Sequence, residues 1–440
     1  MMKISETYDV AIVGSGQASL NLAIPLANQG QKVVMLENDI WGGTCPNRGC
    51  DPKKLMSQVA LNYYQAKLQA SKGLGTISSF DWHALSKFKH QTIDPLTDQL
   101  HDSFQKVGIT TIKAHGHFVG DKLFANRQEI HAKKIVLALG RSAVIPNILG
   151  NELLKTSTDF FDLAELPKNL TIIGAGYIAF ELASIAQAAG SNVTIIQHNH
   201  RPLKQFPEVL VKDLVKQLET QGVKFLMDTD VESISGDSRH QIAHTSTGSR
   251  VESNVIIAAI GRQPNIHGVG LEESGIKADD KKGIIVDEYL QTTLPNVYAT
   301  GDVISKSVPA ITPTAISEAH YLSQLFTGEE KKPFSYPLIA TAVYGIPRLA
   351  MVGDFSEGTN QKEISLDTLF SSVVSSEIGS KVYLSYKNNK LVGAAMLGLH
   401  ADERINELAL LIQKQMTSKD LEKIDFIFPS PQSDLFKLIS

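Results

Sequence analysis

A chain of 440 residues, 42% of them hydrophobic and 20% charged, has the composition of a globular protein, and its length predicts two to four domains. The formal net charge of −4 offers no basic surface, so neither a nucleic acid nor an anionic membrane is expected as a partner. Residues 1–9 lack the features of a signal peptide, and no apolar run reaches the length of a membrane span. These features predict a cytoplasmic protein.

The first predicted unit is a βαβ fold that binds a dinucleotide. Its parts are strand 8–13, glycine turn 14–19, a helix to residue 28 and strand 32–36. Gly14 and Gly16 let the backbone approach a pyrophosphate at the helix N-terminus, and Ser19 is a small replacement for the third glycine. Glu37 follows the second strand, where a carboxylate can accept hydrogen bonds from ribose hydroxyls.

The only two cysteines of the sequence, Cys45 and Cys50, come next in the segment GGTCPNRGC. A structural disulfide network is not expected, because the chain has no further thiol, and two sulfurs lack the other ligands of a zinc site. The remaining readings are a redox-active dithiol and a pair of buried, inert cysteines, and the neighbouring nucleotide motifs favour the dithiol. Arg48, between the sulfurs, either favours the thiolate or faces solvent.

A second βαβ unit predicts a second nucleotide. It has strand 170–173, turn 174–179 with Gly174 and Gly176, a helix through residue 189 and strand 192–196. Gln197 stands where an NAD site would carry an acid. Basic residues follow at three positions: His198, Arg201 and Lys204. This pattern suits a 2′-phosphate and favours NADPH over NADH. The alternative for the basic residues is a solvated charged loop, and the alternative for the βαβ unit is a scaffold with an incidental glycine turn.

From about residue 331, after a linker-like Lys-Lys-Pro, the pattern of apolar and polar residues changes. Strand-like runs 381–386 and 391–396 alternate with an amphipathic helical pattern over 402–415, which predicts a third, α+β domain.

Four further segments complete a recognisable pattern: residues 174–181 (GAGYIAFE), 261–265 (GRQPN), 296–302 (NVYATGD) and 312–313 (TP). With the dithiol segment, they make the chain resemble the dimeric FAD-dependent pyridine nucleotide-disulfide oxidoreductases, which include glutathione reductase, lipoamide dehydrogenase and mercuric reductase. The resemblance implies an α/β fold with two Rossmann-like domains, which bind FAD and NAD(P)H, and a C-terminal α+β dimerisation domain. It also implies a homodimer whose active sites are completed by the partner subunit.

The same resemblance implies domain boundaries. Residues 1–145 and 267–332 would form a discontinuous FAD-binding domain, residues 146–266 the NAD(P)-binding domain, and residues 333–440 the dimerisation domain. Further positions implied in cofactor binding are Gly43, Thr44, Gly140, Gly261 and Thr312.

Carried over to this sequence, Asp302 resembles the aspartate that holds the flavin's ribitol chain. Lys54, or its neighbour Lys53, resembles the lysine that pairs with Glu181 near the flavin N5. Tyr177 resembles the tyrosine that covers the isoalloxazine and moves aside for nicotinamide, although a core aromatic residue on a helix is the alternative.

By resemblance, Cys50 contacts the flavin and Cys45 is the exposed, attacking thiol. The helix that carries Pro52 onward begins beside them, and its positive end lowers a thiol pKa.

The family pattern breaks at the C-terminus, where its members carry His-Pro-Thr followed by Glu. The matching stretch here is Phe428 to Asp434 (FPSPQSD), in which Phe428 and Ser433 stand at the positions of the histidine and the glutamate, and no histidine occurs after His400. Loss of a general acid lowers rates by about 10²- to 10⁴-fold when the leaving thiolate must be protonated. Thiocyanate leaves without protonation, so the break favours a subgroup whose bacterial members detoxify hypothiocyanous acid.

Three other functions are alternatives to the reduction of this small-molecule oxidant. A reductase of low-molecular-weight disulfides such as glutathione disulfide is the main alternative. Mercuric reductase is disfavoured because the chain has no thiols near its C-terminus. A non-enzymatic flavin redox sensor is the alternative from another class.

Overall fold

A computed structural model describes residues 7–356, 359–375 and 377–439. The helices are α1 (Gln17–Asn28), α2 (Thr44–Arg48), α3 (Cys50–Ser71), α4 (Trp82–Ile93), α5 (Leu96–Lys106), α6 (Ser157–Phe161), α7 (Tyr177–Ala189), α8 (Glu208–Thr220), α9 (Thr312–Thr327), α10 (Phe370–Ser375), α11 (Ala401–Gln413), α12 (Ser418–Leu421) and α13 (Pro431–Ile439). Two short 3-10 helices span Asn151–Leu153 and Gly301–Val303.

The strands are β1 (Thr7–Val13), β2 (Val33–Glu37), β3 (Thr110–Lys113), β4 (Gly116–Val119), β5 (Lys122–Ala125), β6 (Gln128–Glu129), β7 (His131–Leu137), β8 (Arg141–Ala143), β9 (Asn169–Ile173), β10 (Asn192–Ile196), β11 (Lys224–Leu226), β12 (Val231–Gly236), β13 (Gln241–Thr245), β14 (Arg250–Ser253), β15 (Val255–Ala258), β16 (Arg262–Pro264), β17 (Ala278–Asp279), β18 (Gly283–Ile284), β19 (Val297–Ala299), β20 (Thr341–Val343), β21 (Arg348–Gly353), β22 (Asn360–Ser365), β23 (Lys381–Lys387) and β24 (Lys390–Gly398).

The chain forms two compact units. The first comprises residues 1–52, 88–144 and 262–337, and the second comprises residues 53–87, 145–261 and 338–440. Helix α3 begins in the first unit and continues into the second. The three-domain boundaries expected from the sequence stay a prediction, and the expectation about a signal peptide partly concerns residues 1–6, which lie outside the described residues.

The first unit is built on a five-stranded parallel sheet in the order β19-β7-β1-β2-β3. All five residues of β2 are buried, which fits an apolar strand covered on both faces. Helices α1 and α9 contribute Leu22, Leu26 and Leu322 to the same apolar core. The predicted strand-turn-helix-strand order over residues 8–36 is therefore confirmed.

The second unit contains a four-stranded parallel sheet, β11-β10-β9-β15, and a five-stranded antiparallel sheet, β20-β21-β24-β23-β22. Helix α7, with eight buried residues, follows β9 as the sequence predicts. In the C-terminal part, α11 packs its apolar face, including Ile405 and Leu408, on the antiparallel sheet. The expected fold class, with parallel α/β parts and a C-terminal α+β part, is confirmed. Among the described helices, none combines the length and apolar character needed to cross a membrane.

Candidate active site

The first glycine turn leaves space where a pyrophosphate would bind. A Cβ on Gly14, which has φ +101°, would lie 2.4 Å from the carbonyl oxygen of Ala138, whereas a Cβ on Gly16 would meet nothing within 4 Å. The Glu37 carboxylate fixes the turn, because its Oε2 accepts hydrogen bonds from Ser15 N at 3.0 Å and Ser15 Oγ at 2.6 Å. The turn therefore fits a dinucleotide at the N-terminus of α1.

The dithiol segment lies against this turn. A Cβ on Gly43 would come within 2.9 Å of Gly16 Cα, so the close approach of the two backbones requires glycine. Thr44 then begins α2. Ser19 is fully buried, as expected for a small residue at the third glycine position, and Gly140 has φ +66°.

The two redox sulfurs share one hydroxyl. Thr312, the first residue of α9, donates from Oγ1 to Cys45 Sγ at 3.3 Å, and its Oγ1 lies 3.5 Å from Cys50 Sγ. Both cysteines are partly buried thiols. The pKa of Cys45 is raised far above its usual range, first by its hydrogen bond with Cys50 and then by burial, while Thr312 opposes the rise. The lowering of a thiol pKa that the sequence predicts beside the start of α3 is therefore not found at Cys45.

Thr312→Val removes the one contact that lowers the Cys45 pKa, so it should make this thiol less reactive. We expect alkylation of Cys45 by iodoacetamide, in the reduced protein at pH 8, to slow by about tenfold, the equivalent of one hydrogen bond to a charged group. Mass spectrometry of the labelled peptide measures the rate of alkylation. Ser317→Ala, which removes a half-buried hydroxyl from the same helix, is the control, and an unchanged rate in Thr312→Val would contradict the assignment.

Arg48 is paired with a carboxylate. Its guanidinium donates to both oxygens of Asp39, at 2.6 and 2.9 Å, and this lowers the Asp39 pKa. The charge of Arg48 is therefore matched by Asp39 rather than directed solely at the thiols.

Arg262 is a site residue to which the sequence assigned no role. Burial lowers its pKa, and the negative charges of Asp302 and Cys50 oppose that shift, so its guanidinium lies in the field of both. It also donates to the carbonyl of Arg141, whose own Nε donates to the Asp302 carbonyl at 2.6 Å. The GRQPN motif marked the position of Arg262 but gave no partner for its charge.

The second glycine turn repeats the geometry of the first. A Cβ on Gly174 would lie 2.5 Å from the carbonyl oxygen of Ala259, whereas Gly176 faces open space. Gln197 Oε1 accepts from Ala175 N at 3.0 Å, so this side chain fixes its turn as Glu37 fixes the other. The turn fits a second dinucleotide at the N-terminus of α7.

The basic residues after Gln197 are partly engaged within their own loop. Arg201 donates to the Phe206 carbonyl at 2.8 Å, and its Nε lies 3.6 Å from a carboxylate oxygen of Glu208. His198 Nε2 lies 2.8 Å from Asn199 Nδ2, and Lys204 is exposed. Farther along, Gly261 has φ +128°, a conformation that favours glycine.

Tyr177 is the first residue of α7 and packs its ring 5.4 Å from that of Phe206. Thr341 Oγ1 donates to the Tyr177 hydroxyl at 3.4 Å. Burial raises the pKa of Tyr177, so the ring is neutral at physiological pH.

The lysine assigned to Glu181 requires a correction. Lys53 Nζ, not Lys54 Nζ, lies 2.9 Å from Glu181 Oε1, and Lys54 pairs with Asp402 at 2.7 Å. Successive residues of a helix point about 100° apart, so adjacent lysines face different partners. Both ammonium groups lie over the ring of Tyr344, at 4.0 and 4.4 Å from its centroid.

The C-terminal segment does not supply the missing acid and base. Phe428 is 68% exposed. Ser433, at the position of the family's glutamate, accepts from Ser430 N at 3.1 Å, and its own N–H donates to Ser430 Oγ at 3.1 Å, so it pairs with the cap residue of helix α13. Asp434 is buried and accepts from Ser371 N at 3.2 Å.

Comparisons with known proteins agree with this geometry. Residues 8–319 match the family described as pyridine nucleotide-disulphide oxidoreductase, and residues 339–436 match its dimerisation domain. A glutathione reductase from Nostoc sp. is 31% identical, over 96% of this chain and 97% of its own, and a mercuric reductase from Staphylococcus aureus is 28% identical, over 94% and 78%.

Among solved structures, the HOCl-induced flavoprotein disulfide reductase RclA from Escherichia coli superposes with a TM-score of 0.87 at 25% identity, covering 98% of this chain and 100% of its own. The chain thus belongs to the pyridine nucleotide-disulphide oxidoreductase family of FAD- and NAD(P)H-dependent flavoproteins, and it carries the family's dimerisation domain.

Proposed function

We propose that this protein passes electrons from NADPH through FAD to the Cys45–Cys50 dithiol and on to a small sulfur electrophile, hypothiocyanous acid. One contrast carries the proposal: the dithiol is intact and shares the Thr312 hydroxyl, while Phe428 replaces the histidine that would protonate a departing thiol. Bound FAD would supply the two-electron chemistry that links NADPH to the dithiol.

The residues that would hold FAD come from the turn and loop segments described above: Gly14, Gly16, Ser19, Glu37, Gly43, Thr44, Gly140, Asp302 and Thr312. Those that would hold NADPH are Gly174, Gly176, Gln197, His198, Arg201 and Gly261. The Lys53–Glu181 pair would lie near the reacting end of FAD, and Tyr177 would exclude water until nicotinamide arrives.

The sulfur chemistry balances with one proton on the dithiol. The Cys45 thiolate attacks the sulfur of hypothiocyanous acid; an S–S bond forms, the S–O bond breaks, and the hydroxide leaves as water with the one proton of the dithiol. The Cys50 thiolate then attacks Cys45 Sγ, which closes the disulfide and expels thiocyanate. Two electrons pass from the dithiol to the oxidant.

Two relatives favour different substrates for this protein. RclA is described as HOCl-induced, and hypothiocyanous acid is likewise a small oxidising acid. The relative from Nostoc is described as a glutathione reductase, which favours a disulfide as the alternative substrate. The missing histidine favours the oxidant, because glutathione thiolate needs a proton near neutral pH and thiocyanate does not.

The direct test measures NADPH oxidation by the purified flavoprotein with hypothiocyanous acid. We expect one thiocyanate released per NADPH consumed. Consumption of NADPH with glutathione disulfide alone would favour the disulfide reductase. If neither compound supports NADPH oxidation, the outcome would favour another sulfur electrophile as the substrate, or a redox sensor.

NADPH should give a higher kcat/KM than NADH, because Gln197 leaves room for the 2′-phosphate that a carboxylate would repel. Gln197→Glu keeps an acceptor for Ala175 N, so the turn should persist while preference shifts toward NADH by about tenfold or more. Steady-state kinetics with both coenzymes measures the shift. Gln205→Glu, an exposed glutamine in the same loop, controls for added charge, and equal or better use of NADH by the wild type would contradict the assignment.

The active unit would be a homodimer, in which Phe428 of each chain faces the dithiol of the other. This part of the proposal rests on the match of residues 339–436 to the dimerisation domain.

A further inference from the structure

We propose that the buried ion pair Lys306–Glu318 is a positioning device that holds the Gly301–Asp302 turn in the conformation that receives FAD. The inference rests on the FAD-binding role proposed for Asp302. Neither charged residue belongs to a motif of the sequence, and all of the residues concerned lie in the first unit.

Glu318 is the centre of the arrangement and is fully buried on α9. Its Oε2 accepts from Gly301 N at 2.6 Å and from Thr300 Oγ1 at 3.1 Å. Its Oε1 accepts from Lys306 Nζ at 2.7 Å and from the Tyr336 hydroxyl at 2.9 Å. Four donors from three chain segments thus converge on one carboxylate.

The turn is held from both sides of one residue. Glu318 accepts a hydrogen bond from the N–H of Gly301, and Lys306 Nζ donates to the carbonyl oxygen of Gly301 at 2.9 Å. Gly301 has φ +80°, and a Cβ there would lie 3.3 Å from Ala18 Cβ, at the start of α1. The adjacent Asp302 carbonyl is fixed by Arg141. The backbone that presents the Asp302 side chain therefore has little freedom.

The energetics of buried charge favour positioning over simple stabilisation. The side chains of Lys306 and Glu318 are only 4% and 0% exposed, so both lose their hydration. A buried ion pair often contributes no more to folding stability than well-packed apolar residues of similar volume, but its hydrogen bonds fix the orientation of the groups that they join. The same helix begins at Thr312, which contacts both redox sulfurs. The pair therefore anchors the turn to the helix that also carries this hydroxyl.

The test compares the dissociation of FAD from holoenzyme variants, followed by the recovery of flavin fluorescence on dilution, with their melting temperatures. Lys306→Met should speed dissociation by about ten- to a hundredfold, because Glu318 keeps its charge but the Gly301 carbonyl loses its donor. Lys306→Arg should restore a rate within about threefold of the wild type, since it restores the cation. Lys331→Met, an exposed lysine of the same unit, is the matched control.

If Lys306→Met yields too little folded protein, the double variant Lys306→Met/Glu318→Gln removes both charges, keeps an acceptor for Gly301 N, and should still release FAD faster. Wild-type dissociation in either variant would overturn the positioning role. So would faster dissociation that Lys306→Arg fails to restore. Asp302→Ala tests the underlying assignment separately: normal FAD retention in that variant would refute the role of Asp302 and leave the result for Lys306 to stand by itself.

Discussion

Replacing either redox cysteine with serine should lower NADPH turnover with hypothiocyanous acid by about four orders of magnitude or more, as expected when a covalent nucleophile is removed. The two variants should differ in their spectra. Reduced Cys45→Ser retains the Cys50 thiolate and should show the long-wavelength charge-transfer absorbance with oxidised flavin, which Cys50→Ser should lack. Steady-state rates measure the first effect, and absorbance spectra of the variants with oxidised flavin, recorded before NADPH is added, measure the second.

Arg48→Gln is the matched control, because Arg48 lies between the cysteines but pairs with Asp39. Partly exposed ion pairs contribute little, so this variant should stay within about threefold of wild type. A Cys50→Ser protein that kept the absorbance band would contradict the assignment of Cys50 as the sulfur beside the flavin. A Cys45→Ser protein with substantial turnover would show that electrons reach the oxidant without the dithiol.

The nucleotide turns could be predicted from sequence because their chemistry is local. Gly14 and Gly174 each face a backbone carbonyl that leaves no room for a Cβ, and each precedes a glycine that faces open space. Such constraints restrict the residue type at fixed spacing, so they leave a visible motif. The amphipathic period over residues 402–415 likewise located α11, which spans Ala401–Gln413.

Other parts of the site depend on partners that sequence spacing does not reveal. Lys53 and Lys54 are equivalent in composition and context, and only the packing of α3 assigns Glu181 to the first and Asp402 to the second. Glu318 could not be singled out either, since its donors Gly301, Lys306 and Tyr336 come from separate segments. The sequence aligns Ser433 with the family's glutamate, but residue spacing does not reveal its hydrogen bonds with Ser430 at the start of α13.

The missing acid–base pair predicts a large difference between substrates. Wild-type protein should reduce glutathione disulfide more slowly than hypothiocyanous acid by roughly two to four orders of magnitude, the contribution of a positioned general acid. The cause is the leaving group: thiocyanate departs as a stable anion, whereas a thiolate needs a proton that Phe428 cannot donate. Rates of reoxidation of the two-electron-reduced protein by each substrate, measured by stopped flow, give the ratio directly.

Phe428→His with Ser433→Glu should recover part of the disulfide activity and change the hypothiocyanous acid rate little. Recovery should be incomplete for a structural reason. Ser430 and position 433 already form a hydrogen-bonded cap on α13, and a glutamate at position 433 is the residue that a capping box uses to bind the N–H of the cap residue. The new carboxylate is therefore drawn to Ser430 N and away from the new imidazole.

Phe428→Leu is the control for this graft, since it alters the same exposed side chain without adding a proton donor. It should leave the ratio of the two rates unchanged. Because the graft adds an acid only where a thiolate departs, a gain limited to glutathione disulfide supports the leaving-group argument. Comparable wild-type rates on the two substrates would refute that argument, and failure to reduce hypothiocyanous acid would return the assignment to a disulfide or another sulfur electrophile.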